Sequence, residues 1–136
     1  MRAVFDTNVL VSAFAAEGLC AGLLIRANRR ECRLFLSTSI RREFEDVLKR
    51  KLGFSEGEVL KALSLIDEAA AETISVPEGR SRIAGVCRDE SDHAILETAV
   101  LAEADFLVTG DRELLGMKEF GECRILSPRE FELLFQ

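Results

Sequence analysis

Four acidic residues stand where a solvated surface carboxylate has little reason to be. Asp6 closes the apolar run Ala3-Val4-Phe5, and Asp111 follows another in Val108-Thr109-Gly110-Asp111. Glu43 lies three residues after Ile40, one before Phe44 and four before Val47, so on a helix it borders the packed stripe. Asp92 precedes Ile95, Leu96 and Ala99 by three, four and seven, and extends their stripe at its N-terminal end. Asp89 lies three residues further back on nearly the same line. A carboxylate at the edge of a packed face is costly unless it is paired or metal-bound.

Each acid also has an ordinary explanation. Asp89 or Asp92 caps a helix N-terminus, where negative charge is favourable. Glu43 flanks Arg41 and Arg42 on a solvated rim, and Asp6 forms a turn with Thr7 and Asn8. The set taken together points elsewhere, because no Lys or Arg cluster within these segments can neutralise four converging acids. Oxygen-only ligands suit Mg²⁺ or Mn²⁺, and two such ions ~3.5–4 Å apart support phosphodiester hydrolysis. Crowding of like charges is expected to raise the carboxylate pKa values. His93, the sole histidine, reads as a surface residue rather than a general base.

The elements that position these acids alternate. Apolar runs at Ala3 to Phe5, Arg33 to Leu36, Thr73 to Val76, Asp105 to Val108 and Arg124 to Leu126 read as strands, with Pro77 stopping the third. Helical patterns cover Asn8 to Ala16, Leu19 to Arg30, Ser39 to Leu52, a segment from Ser55 to Glu72, Asp92 to Glu103 and Arg112 to Leu115. Ser55 with Glu58, and Ser127 with Pro128 and Glu130, carry capping-box spacing, the latter for a final helix. Gly79 to Arg82 reads as a surface loop. Strands separated by helices imply a three-layer α/β/α sandwich with a central parallel sheet of about five strands. Ligands of such sheets bind beyond the carboxyl ends of the strands, where the winding reverses. Asp6 and Asp111 both fall at that edge.

With 136 residues, 48% of them hydrophobic, the chain suits one domain over residues 1–136 with one core. The net charge of −6 opposes non-specific binding of a polyanion, so nucleic acid would need local patches or bound cations. Cys20, Cys32, Cys87 and Cys123 show no zinc spacing and read as reduced thiols of a cytoplasmic protein. Asp6 and Asn8 interrupt the apolar start, which argues against export, and no run reaches the ~20 apolar residues of a membrane span.

Val4 to Ala13 (VFDTNVLVSA), Ser37 to Phe44 (STSIRREF), Asp89 to Ala99 (DESDHAILETA) and Leu107 to Leu115 (LVTGDRELL) resemble, in order, the motifs of the PIN domain. The resemblance covers nearly the whole chain. It implies an acidic metal-binding set of Asp6, Glu43, Asp92 and Asp111, with Asp89 and then Glu113 as auxiliary acids. Asn8, Ser12 and Thr109 match supporting polar positions. The family implies Mg²⁺- or Mn²⁺-dependent cleavage of single-stranded RNA. The compact chain, with no KH, TRAM or ATPase segment in its sequence, is similar to the toxin halves of prokaryotic toxin–antitoxin pairs. The expected partners are therefore single-stranded RNA, a cognate antitoxin and a second copy of the chain, with Leu19 to Ile25 as the candidate dimer surface.

Arg41 and Arg42 flank Glu43 and are candidates for meeting RNA phosphates, whereas Lys49, Arg50 and Lys51 read as solubilising charges. The rival readings are a non-catalytic PIN-like module binding RNA or protein, a Mg²⁺-binding receiver domain and a haloacid-dehalogenase-like phosphatase. A receiver would need paired acids after the first strand and an Asp after the third, where Val76-Pro77 stands. The phosphatase would need a second Asp at Asn8.

Overall fold

The computed structural model describes residues 1–76 and 90–136. The stop at Pro77, the loop at Gly79 to Arg82, Cys87 and Asp89 lie outside the described residues. Strand β1 (Arg2–Phe5) occupies the middle of a single sheet and pairs in parallel with β2 (Arg33–Ser37) on one side and β4 (Phe106–Val108) on the other. Beyond these lie β3 (Ala70–Ile74), parallel to β2, and β6 (Cys123–Leu126), parallel to β4. The five parallel strands match the sequence expectation. A sixth strand, β5 (Glu119–Phe120), pairs antiparallel with β6 and completes the order β3-β2-β1-β4-β6-β5. Gly121, at φ 62°, makes the two-residue turn between them possible.

Helices flank the sheet in a three-layer sandwich. They are α1 (Thr7–Ala15), α2 (Leu19–Asn28), α3 (Thr38–Arg50), α4 (Glu56–Ala69), α5 (Glu90–Leu101), α6 (Arg112–Met117) and α7 (Pro128–Leu133). Sheet strands covered on both faces must be apolar throughout. Accordingly Ala3, Val4, Phe5, Leu34, Phe35, Leu36, Leu107 and Val108 are buried in one core. Both expected capping boxes form, Ser55 with Glu58 on α4 and Ser127 with Glu130 on α7. The stripe of α3 buries Ile40, Phe44 and Leu48, while Val47 is only half-buried at its margin.

One boundary departs from the sequence reading. Helix α4 ends at Ala69 and β3 begins at Ala70, not at Thr73. Alanine favours helix, so Ala70 and Ala71 read as its continuation. Pairing with β2 overrides that propensity, with a register shift opposite Leu34 and Phe35. Ala71, Glu72 and Thr73 are exposed on this edge strand, which removes the alternating pattern that marks a half-buried strand.

Helix α7 closes the core from the C-terminal end. Phe131 is fully buried, edge-on to Phe5 at 5.8 Å and to Phe135 at 5.3 Å, and tilted against Phe106 at 5.7 Å. Arg26 of α2 binds Glu132 through Nε at 2.6 Å and stacks on Phe135, which fastens the same helix. Phe131→Ala should lower unfolding stability by about 3–5 kcal/mol in urea titrations, the usual cost of removing a buried Phe. A loss below about 1 kcal/mol would mean that α7 is not part of the cooperative core.

Candidate functional site

The strand order dictates where a ligand can enter. The chain winds from β1 to β2 to β3 in one direction and then returns to place β4 on the other side of β1. The reversal therefore lies between β1 and β4, and their carboxyl ends open a crevice there. Asp6 directly follows β1, and Thr109 to Asp111 follow β4. A cleft of about 200 Å³ occupies this position, and Asp6, Glu43, Asp92 and Asp111 all line it. Thr7 and Asn8, at the start of α1, line it too. Val47 and Ile95 supply apolar wall, and Lys51 lies at the α3 side.

Each acid reaches the cleft from a different element. Asp6 is the N-cap of α1: its Oδ1 accepts the Val9 N–H at 3.0 Å, and its own N–H donates to Val108 O at 3.0 Å. The Thr109 hydroxyl donates to Asp6 Oδ2 and accepts the Asp111 N–H at 3.0 Å, so one buried hydroxyl joins both strand ends. Asp111 caps α6 by accepting the Leu114 N–H at 3.0 Å. Glu43 comes from the second turn of α3 and Asp92 from the first turn of α5. These two helices are fixed to each other at a buried point, where the Thr98 hydroxyl lies 2.8 Å from Ser37 Oγ, the N-cap of α3.

Asp6 is only 3% exposed and Asp92 5%. Burial pushes the Asp6 pKa up, hydrogen bonds from Thr109 and the Val9 N–H pull it down, and the charge of Asp111 raises it further. The direction agrees with the sequence expectation, but the leading cause is desolvation rather than mutual repulsion.

The remaining sequence candidates divide. Asn8 and Thr109 lie in or directly behind the cleft. Ser12 is exposed one turn further along α1 and does not line it, nor does exposed Glu113. Arg41 is engaged elsewhere: Nε and Nη2 donate to the two carboxylate oxygens of Asp67 on α4, at 3.0 and 2.8 Å. Arg42 is exposed and His93 half-buried, both away from the lining. Asp89 lies outside the described residues. The sequence reading passed over Thr7, the Ser37–Thr98 pair and Glu97, a fifth acid that is 5% exposed on α5 and does not line the cleft. The signal for Ser37 and Thr98 was a hydroxyl embedded in an apolar run, LFLS and AILETA.

Among the described residues the donor set is suited in kind to a hard divalent cation, with four carboxylates and no sulfur or imidazole lining the cleft. Thr7 adds a second indication of a polar occupant. Its Oγ1 is buried with no hydrogen-bond partner among the described residues, a cost of about 1–3 kcal/mol unless something polar meets it. As positioned, no three His, Cys, Asp or Glu side chains among the described residues form a group that could hold a metal ion.

The sequence profile of the PIN domain family matches residues 2–113, which span all four acids and Thr109. The chain belongs to the PIN domain family. No match to it is found among curated proteins. No helix among the described residues is by itself long and apolar enough to cross a membrane.

The raised pKa of Asp6 has a defined stability signature. Below the unfolded value near ~4 the group is neutral in both states and exacts no penalty; the penalty grows as pH rises and is complete above the raised folded value. Asp6→Asn keeps a competent N-cap without the charge. In EDTA it should melt above wild type at neutral pH, and the gap should close toward pH ~4. A gap that does not change with pH would show that the Asp6 charge is not strained in the fold.

Proposed function

We propose that this PIN-domain chain is a metal-dependent endoribonuclease that hydrolyses phosphodiester bonds of single-stranded RNA in the cytoplasm. The observation that carries the reading is the convergence of Asp6, Glu43, Asp92 and Asp111, from four separate elements, on one cleft at the sheet's switch point. Nothing in core packing requires four carboxylates to meet there. Membership of the PIN family supports the same chemistry.

In this reading those four acids would hold Mg²⁺ or Mn²⁺, with Asp89 expected from the sequence as an auxiliary acid, and the ion when bound would supply activation of water and neutralisation of charge on the leaving oxygen. The protein's own part is positional. Thr109 fixes the spacing of the β1 and β4 ends by holding Asp6 with its hydroxyl and the Asp111 backbone with its oxygen. The Ser37–Thr98 contact fixes the helices that carry Glu43 and Asp92. Asn8, exposed at the mouth, offers an amide to a phosphate or ribose, with Ser12 along the same helix. Val47 and Ile95 limit water on one wall.

We further assign the chain to the toxin half of a toxin–antitoxin pair and to a homodimer built on α2. Leu19 and Ile25 of that helix are 41% and 51% exposed although Leu23 is fully buried, so α2 carries apolar surface on two sides. A groove of about 240 Å³ beside it is lined by Ala21, Leu24, Ile25 and Leu65. Light scattering should give a mass near twice 15.1 kDa at high concentration; a single 15.1 kDa species would exclude the stable dimer.

Single-stranded RNA incubated with wild-type protein and Mn²⁺ should be cut internally, and EDTA should abolish cutting. Asp92→Asn should lower the rate more than the ~10–100-fold typical of losing a residue behind a metal ligand. Mn²⁺ should also raise the wild-type melting temperature more than that of Asp92→Asn, because the ion binds only the folded cleft. RNA binding without cleavage by wild type, with Mn²⁺ acting equally on both proteins, would replace the enzyme with a non-catalytic PIN-like module.

A further inference from the structure

An acidic cleft on a chain of net charge −6 has to attract a polyanion, and the basic residues near it are mostly spoken for. Arg41 is tied to Asp67. Along the end of α3, Lys49 pairs with Glu45 at 3.0 Å and Arg50 with Asp46 at 2.9 Å, each one helical turn back. Lys51 differs from both. It is the C-cap residue of α3, its backbone N–H bonds to Val47 O, its side chain is exposed, and among the described residues it is the cation that lines the cleft. Its ammonium group forms no ion pair among the described residues, neither with the cleft acids nor with its helical neighbours.

The placement follows from helical spacing. Glu43, Val47 and Lys51 recur at intervals of four and all line the cleft, so one side of α3 runs from carboxylate to ammonium. Eight residues at 1.5 Å rise separate Glu43 from Lys51 by about 12 Å along the axis. The offset of the two backbones sets Lys51 at the far end of this line of cleft residues from Glu43. A positive charge is also favoured at the C-terminus of a helix.

We propose that Lys51 binds a phosphate flanking the scissile one on the single-stranded substrate, and so selects for a polymer that extends beyond the cleaved bond. The inference rests on the nuclease reading and deepens it. The acids address the scissile group, and Lys51 supplies the cation that the cleft lacks for the neighbouring backbone. Its contribution is to ground-state and transition-state binding alike, because a flanking phosphate does not change charge during hydrolysis. The effect therefore falls on KM and not on kcat.

The test compares wild type, Lys51→Met, Lys51→Arg and Lys49→Ala on a fluorescent single-stranded RNA with Mn²⁺. Steady-state cleavage is followed together with equilibrium binding in the Asp6→Asn background over a range of KCl. Lys51→Met should raise KM several-fold with kcat nearly unchanged, and should reduce the slope of log affinity against log salt by about 0.7–1, one phosphate contact on a single strand. Lys51→Arg should restore most of both, and Lys49→Ala should resemble wild type. On a dinucleotide, which has no flanking phosphate, wild type and Lys51→Met should become equal. Cleavage by Lys51→Met with wild-type KM and salt slope would overturn the assignment while leaving the nuclease reading intact. So would a loss confined to kcat. Wild-type protein that neither binds nor cuts RNA would overturn both.

Discussion

The structure is organised around a buried carboxylate at the end of the central strand. Asp6 is the first residue after β1, and β1 is buried on both faces, so its side chain has little water to solvate it. Three local interactions make the position tenable. Its N–H extends the ladder to Val108, its Oδ1 caps α1, and its Oδ2 takes the Thr109 hydroxyl. Those bonds also tie the turn after β1 to the turn after β4, across the point where the sheet reverses its winding. The crevice exists because the sheet reverses there, and its acidity exists because both turns begin helices with an aspartate N-cap. The desolvation that remains uncompensated, seen in the raised pKa of Asp6, is what a bound cation would relieve.

The overall acidity of the chain resolves into local arrangements. Several basic residues are spent on structure: Arg26 on Glu132 and Glu31, Arg41 on Asp67, Lys49 and Arg50 on acids of their own helix. The exposed pairs among them contribute little stability individually, but each sets an acid beside its cation and so lowers the local positive potential that a polyanion would meet. Net charge alone is therefore a poor guide to nucleic-acid contact here. A cleft lined, among the described residues, by four acids and one lysine would become attractive to a polyanion only with bound cations, which would couple affinity to metal.

The legible part of the sequence was the part governed by burial. Runs such as Ala3-Val4-Phe5 and Leu107-Val108 had to be strands covered on both faces, and that fixed the parallel sheet, its edge and the positions of Asp6 and Asp111. The helical phase of Glu43 against Phe44, and of Asp92 against Leu96, placed both acids at the margin that the cleft occupies. What escaped was governed by pairing and by single contacts. Strand β3 starts on two alanines at an exposed edge, and β5 is two residues long, so neither carries a periodic signal. The engagement of Arg41 by Asp67 links positions 26 residues apart, and nothing in the local spacing distinguishes it from an arginine free to meet phosphate. Lys51 differs from Lys49 in having Val47 rather than an acid four residues back, a spacing present in the sequence that gains meaning only once the cleft is placed beside it.

Helix capping and metal binding had looked like competing explanations for an acid beside an apolar run, and the geometry shows why they need not compete. A carboxylate has two oxygens and roughly four acceptor sites. Capping uses one oxygen of Asp6 and one of Asp111, each toward an N–H at 3.0 Å. The cap fixes the side-chain rotamer, and a fixed rotamer leaves the second oxygen with a defined direction. For Asp111 that oxygen remains on a residue lining the cleft, and for Asp6 it meets Thr109 at the cleft's base. Capping is thus the device that preorients the acids, whichever ion or substrate they serve. It also explains their placement immediately after strands: a parallel sheet returns through helices, each helix start calls for an N-cap, and at a switch point two such starts face one another. The same requirement does not apply to Glu43 and Asp92, which lie inside their helices. The helices that carry them are joined at a buried point by the Ser37–Thr98 hydrogen bond.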